Sequence, residues 1–152
     1  MQVRELMSRQ VVTIGTSESC LDAVVRMQRA RVRHLPVINR EGLLVGVITD
    51  RDLRHHLFSL PAFQALGSTR VDVLLDRVHV AEIMSTDVVT TTPDASVADA
   101  ASTMRKEKVG SLPVLENGRV VGILTETDVL RHIVRADAAC PPECAEIIVS
   151  FP

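Results

Sequence analysis

Apolar residues along this chain fall into short runs and helix-spaced stripes separated by polar turns, and the same order of segments occurs twice. In the first half the run Val11-Val12-Thr13 predicts a strand, followed by the polar turn Gly15-Thr16-Ser17-Glu18. Ser19, with Asp22 three residues on, resembles a capping box and opens a predicted helix whose apolar stripe is Leu21, Val24, Val25 and Met27. Arg33 to Ile38 reads as a buried strand, with Pro36 marking an irregular edge because proline cannot donate to a ladder. Asn39-Arg40-Glu41-Gly42 is turn chemistry, and Leu43 to Ile48 completes a hairpin. Thr49-Asp50-Arg51-Asp52 then starts a second helix through Leu53 and Leu57.

The second half repeats this pattern. Its strand is Val88-Val89-Thr90, its turn Thr92-Pro93-Asp94-Ala95, and its helix opens at Ser96 and Asp99 with a smaller stripe of Ala98, Ala101 and Met104. Gly110 to Leu115 and Val120 to Leu124 form the second hairpin, and Thr125-Glu126-Thr127-Asp128 starts a helix through Val129, Leu130 and Ile133. Residues 3–40 align with 80–117 and residues 42–56 with 118–132, giving 21 identities over 53 positions. The order is β-α-β-β-α, twice, which predicts an α+β fold. The expected division is a first motif at 1–56, a linker at 57–79 with a short helix from Val71 to Leu75, a second motif at 80–135 and a tail at 136–152. Two such copies stack because neither buries its apolar face alone, so anything bound at the seam has two related sites.

Composition narrows the classes. The 152 residues are 46% hydrophobic but include three Phe and no Trp or Tyr, so the core is aliphatic. A net charge of −2 and the scarcity of aromatic rings speak against nucleic acid, which calls for basic stripes and stacking platforms. No apolar run approaches the roughly 18 residues of a membrane span, and the first residues enter the repeat at once, leaving no room for a signal peptide. A cytoplasmic protein, off the membrane, is expected. Cys20 aligns with Val97 at an apolar position and reads as a small core residue. Cys140 and Cys144, in Cys-Pro-Pro-Glu-Cys with His132 upstream, leave open a metal or redox pair against a solvated tail.

The sharpest chemical signal is the repeated Gly-x-x-Thr-x-x-Asp: Gly46, Thr49 and Asp52, then Gly122, Thr125 and Asp128. A hydroxyl and a carboxylate three residues apart meet at a helix N-terminus, where unpaired N–H groups and the positive dipole end favour anions. A carboxylate there can accept from both hydroxyls of a ribose, with Thr and the helix end facing phosphate. The plainer reading is that Thr and Asp cap the helix.

Taken together, Glu-x-Met-Ser before Val-Val-Thr, then Leu-Pro-Val, then the hairpin ending in Gly-x-x-Thr-x-x-Asp, all in duplicate, resemble a CBS-domain pair, or Bateman module, standing alone over residues 1–135. The resemblance implies two pseudo-twofold related motifs packed through their sheets, with two clefts between them. It also implies a homodimer and an adenosine-containing ligand: AMP, ADP, ATP or S-adenosylmethionine. Carried over, the first site uses Thr49, Arg51 and Asp52, its base lying against Asp87, Val88, Val109, Gly110, Ser111 and Pro113. The second uses Thr125, Thr127 and Asp128, with Gln10, Val11, Val32, Arg33, His34 and Pro36 around the base.

The copies differ in charge: Arg33-His34 becomes Gly110-Ser111, and Arg51 becomes Thr127. Arg33 and Arg51 are candidates for phosphate, with surface ion pairing as the alternative. His34 is a candidate for tuning phosphate binding near neutral pH, against a packed or exposed role. His55, His56 and His132 fall on helix faces and His79 in the linker. No Walker-type loop, nucleophile elbow or His-Glu-x-x-His is present, so no catalytic residue, catalytic cofactor or metal ligand is assigned. The expected function is a sensor that binds an adenosyl ligand and signals to a regulated protein by changing shape. The alternatives are a ligand-free dimerisation scaffold and a metal- or thiol-dependent regulator working through Cys140 and Cys144, with His132.

Overall fold

The computed structural model describes residues 1–59 and 71–138. Its elements run α1 (Val3–Leu6), β1 (Ile14–Gly15), α2 (Cys20–Ala30), β2 (His34–Ile38), β3 (Leu44–Thr49) and α3 (Asp50–Ser59). They continue with α4 (Val71–Asp76), α5 (Val80–Ile83), α6 (Val97–Glu107), β4 (Ser111–Glu116), β5 (Arg119–Thr125) and α7 (Glu126–Ala138). The α+β character expected from the pattern is present. One sheet has the order β1-β2-β3, with β1 parallel and β3 antiparallel to β2; the other is the antiparallel pair β4-β5. Ser19 and Ser96 cap α2 and α6 by accepting from the backbone N–H of Asp22 and Asp99, as their spacing predicts.

Two local expectations need correction. Val11-Val12-Thr13 and Val88-Val89-Thr90 lie outside any strand. The parallel pairing begins only at Ile14, opposite Val37, and in the second half it shrinks to one bridge between Thr91 and Val114. The valines turn their side chains to core and cleft instead, without a ladder. The helix stripes are also displaced. Cys20, Ala23 and Met27 are the buried face of α2, and Ala100 and Met104 that of α6, while Ala98 is exposed. Small residues hold the closest approach, and the larger Leu21 and Val24 pack at its margin.

Pro36 and Pro113 sit inside strands, not at free edges. Pro36 lies opposite Val47, whose N–H and C=O both turn outward to Ser85 at 3.0 and 2.9 Å. The pair is therefore a non-hydrogen-bonded one, and no donor is needed at the proline. Pro113 repeats this opposite Ile123, whose backbone turns to Ser8 at 3.0 and 2.9 Å.

Those outward bonds expose a reciprocal exchange. Ser8, from the first half, pairs with the outer edge of β5; Ser85, from the second, pairs with the outer edge of β3. The short helices just before them follow. Val3 is fully buried in the core formed by Ala100, Met104, Leu112, Val114 and Leu124, with Leu6 and Met7 against it. Val80 is fully buried in the core of Ile14, Cys20, Ala23, Leu35 and Ile48, with Ile83 and Met84 against it. Each half thus completes the other's core.

The glycine of the Gly-x-x-Thr-x-x-Asp motif belongs to this exchange. A Cβ on Gly46 would lie 2.6 Å from Met84 Sδ and 3.0 Å from the Ser85 carbonyl oxygen; one on Gly122 would collide with Met7 Sδ. Neither glycine has a positive φ, so close approach and not backbone conformation requires it. Gly46→Ala is expected to cost about 1–3 kcal/mol by overpacking. In a denaturant double-mutant cycle, Met84→Ala should recover part of that loss. Strictly additive losses would mean that Met84 is not what Gly46 makes room for.

Candidate functional site

Two clefts open where the halves meet. The first has a volume of about 580 Å³ and the second about 270 Å³. In the first, Thr49, Arg51 and Asp52 of one half face Asp87, Val88, Val109, Gly110, Ser111 and Pro113 of the other, so all nine residues expected there line one cavity. In the second, Thr125, Thr127 and Asp128 face Gln10, Val11, Val32, Arg33 and His34. Pro36 is the exception: it is fully buried in β2 and does not line the cleft.

The exchanged segments set the floor of each cleft. Val47 and Ser85, hydrogen-bonded to each other, both line the first; Ser8 and Ile123 both line the second. From these fixed points the chain runs on one side into Asp87-Val88 or Gln10-Val11, and on the other into the Thr-x-x-Asp turn.

Thr49 and Asp52 close a reciprocal cap at the start of α3. Asp52 Oδ2 accepts from the Thr49 backbone N–H at 2.9 Å and from its hydroxyl at 2.7 Å, while Asp52 N donates to Thr49 Oγ1 at 3.2 Å. Thr125 and Asp128 do the same at 3.0, 2.6 and 3.3 Å at the start of α7. The hydroxyl proton is therefore committed to the carboxylate, and Thr orients Asp. What remains for a ligand is chiefly the other oxygen, Oδ1.

The wall between the clefts is shared by Arg33, His34, Gly110 and Glu126. The missing side chain at Gly110 admits His34, whose Nε2 lies 3.3 Å from where a Cβ would stand, with Glu126 Oε2 at 3.5 Å. Burial, and then the neighbouring Arg33 charge, hold the His34 pKa below its ordinary 6.5, against opposing pulls from Asp50, Glu126 and Asp52.

Sequence reasoning missed Arg31 and Lys108, which line the second and first cleft respectively. They end α2 and α6 in the left-handed conformation, at φ 54° and 55°, where glycine is the usual residue. A basic residue at both aligned positions, just where each helix must stop, is the signal that was available. Asp50, Glu126 and Arg131 were also missed as lining residues.

Cys20 is a core residue as expected; burial, then Glu82, push its thiol up to about 11, so it is inert near neutrality. α7 runs through Ala136 to Ala138, the first residues of the expected tail; Cys140, Cys144 and the rest of the tail lie outside the described residues. Among the described residues no cluster of His, Cys, Asp or Glu is arranged to hold a metal, and no helix is long and apolar enough to cross a membrane.

The position of His34 has a measurable consequence. Because its folded pKa is lowered, the unfolded chain binds more protons as pH falls through 6.5 toward the folded value. Stability is therefore lost on acidification across that window and recovered above it. Between about pH 7.5 and 5.5, the melting temperature of the unaltered chain should fall more steeply than that of His34→Gln. Parallel profiles would show that His34 titrates alike in both states.

Comparison with known proteins agrees with this architecture. The CBS domain family model matches residues 3–59 and 80–135. A CBS domain-containing protein of Dictyostelium discoideum is 37% identical over 144 residues, which cover 93% of this chain and 97% of that protein. The chain spans between 24% and 41% of several longer relatives, homoserine O-acetyltransferases among them. A crystal structure of the CBS domain pair of protein MJ0100, in complex with 5′-methylthioadenosine and S-adenosyl-L-methionine, is 26% identical with a TM-score of 0.76, covering 90% of this chain and 98% of that one. A putative acetoin utilization protein (AcuB) from Vibrio cholerae is 27% identical with the same TM-score, covering 91% and 95%. Two family matches in tandem, each on a half that completes the other's core, make this chain a member of the CBS domain family built as a CBS-domain pair.

Proposed function

We propose that the protein is a regulatory module that binds an adenosine-containing ligand in the seam between its halves and passes the binding event to a partner protein. The observation that carries this reading is Asp52. Its Oδ2 is spent on capping α3, and no cation lies against its Oδ1 among the described residues. It lines a cleft whose volume falls within the roughly 300–1,000 Å³ range of small-molecule sites. Across that cleft stand Val88, Val109 and Pro113, an apolar surface suited to the flat face of a base. A ribose suits the acceptor and an adenine suits the wall. That the CBS pair of MJ0100 holds two adenosyl compounds supports the choice of ligand class.

Phosphate, where the ligand carries it, would meet Arg33, Arg51 and Lys108, which line the first cleft. AMP, ADP and ATP are thus candidates beside S-adenosylmethionine. Energy sensing is the sense the module takes if the nucleotides compete. Signalling follows if the ligand binds one arrangement of the halves better than another, since differential affinity alone shifts a conformational equilibrium. No catalysis is assigned: the Thr–Asp pairs are mutually bonded and duplicated, which suits holding a ligand better than moving a proton.

Assembly as a homodimer in the cytoplasm belongs to the same reading. Leu130, Ile133 and Val134 are 61%, 56% and 67% exposed and share one face of α7, an apolar stripe of the kind that association covers. The rival reading is a ligand-free scaffold, favoured by the completeness of the two Thr–Asp caps.

Calorimetric titration with AMP, ATP and S-adenosylmethionine separates the two. Asp52→Ala is expected to weaken binding of the preferred ligand by about 10- to 100-fold, the worth of a hydrogen bond to a charged acceptor. Protein stripped of co-purified nucleotide that binds none of these ligands would leave the scaffold reading in place.

A further inference from the structure

We infer that the two clefts are unequal because Arg131 engages the carboxylate of the second, so that the first binds its ligand more tightly. This rests on the proposed function and assigns to Arg131, a residue outside the Gly-x-x-Thr-x-x-Asp motif, control over the difference in affinity between the two sites.

The two carboxylates start from the same cap and then diverge. In the second cleft Asp128 Oδ2 is held by Thr125, and Oδ1 faces Arg131 Nη1 at 3.5 Å, one turn further along α7. Both oxygens are thus engaged by the protein itself. In the first cleft the residue aligned with Arg131 is His55, and among the described residues Asp52 makes no ion pair. The arginine of α3 that lines the first cleft, Arg51, stands instead at the second position of that helix, where α7 has Thr127. An arginine at the second position lines the cleft without reaching the capping carboxylate. An arginine at the sixth reaches back to it along the helix.

Space points the same way. The second cleft, with Arg131 in its lining, has less than half the volume of the first, at about 270 against 580 Å³, and falls just below the usual range for small-molecule sites. A ribose entering the second cleft must separate Arg131 from Asp128 and move its side chain. That side chain is 57% exposed, so its pairing is a competitor and not a lock. An exposed ion pair of this kind sets a bias of about two- to fivefold, to which the lost volume adds.

The test is calorimetric titration with 5′-methylthioadenosine, S-adenosylmethionine and AMP on the unaltered full chain, Asp52→Ala, Arg131→Ala and the double variant. Alanine is a strong helix former, so α7 tolerates the change. The unaltered chain is expected to show a tighter class of about one ligand per chain, weakened about 10- to 100-fold in Asp52→Ala, and a weaker second class. Arg131→Ala should tighten the second class by about two- to fivefold or more, and the double variant should keep that tightened class. Two equal sites in the unaltered chain would overturn the inference. So would weaker binding in Arg131→Ala, which would make Arg131 a ligand contact, or retention of the tight class in Asp52→Ala. In each of those cases the adenosyl reading stands, whereas no binding of any probe to any variant removes that reading and this inference with it.

Discussion

The structure depends on an exchange: the short helix that opens each half is buried in the core of the other. Val3 and Val80 are fully buried in cores whose remaining members come largely from the opposite half. A fully buried valine contributes about 1.5–3 kcal/mol relative to leaving it exposed, and each brings a leucine or isoleucine and a methionine with it. A half on its own would lose those side chains from its core and leave the outer edge of its last strand without a partner. The two copies are therefore one cooperative unit, although the sequence reads as two similar modules in series.

The same exchange builds the clefts. The backbone bonds between Val47 and Ser85, and between Ser8 and Ile123, tie an outer strand of one half to the segment that leads into the other half's cleft wall. From each tie the two chains diverge, one toward a capping carboxylate and one toward an apolar wall. The cleft is thus the space left between two chains fixed at its floor. Gly46 and Gly122 let the methionines reach that floor, which is why the motif begins with glycine three residues upstream of the cap.

Much of the fold was legible because its signals are local. Ser19 with Asp22, Ser96 with Asp99 and Thr49 with Asp52 mark helix starts by short-range hydrogen bonds that depend on little else. The hairpins follow from turn residues between apolar runs. Errors arose where tertiary context decides. Val11-Val12-Thr13 has a strand's composition, but its partner strand reaches only Ile14 and Gly15. The buried helix face is centred on Cys20, Ala23 and Ala100, because the closest contacts select small side chains over the larger ones that hydrophobicity alone would choose. The exchange could not be read at all: alignment shows that Val3 and Val80 are equivalent, not which of two similar cores each enters. In the site, residues within the repeated motif were legible. Lys108, Arg31 and Arg131 were not, because they lie at helix ends or one turn beyond the motif.

Capping and ligand binding need not compete for the same aspartates, since a carboxylate has two oxygens and the cap uses one. Thr49 and Thr125 hold Oδ2 in nearly identical geometry in both copies, and that geometry is what α3 and α7 require. The charged differences between the copies leave that geometry intact. Arg51 against Thr127, His55 against Arg131 and Arg33 against Gly110 all alter the space around the remaining oxygen or the wall facing it. A duplicated unit can vary at such positions at little cost to folding, because no cap, core contact or strand pairing rests on them. The physical requirements of the fold thus hold the carboxylates in place twice over, and they leave the surroundings free to make one site differ from the other.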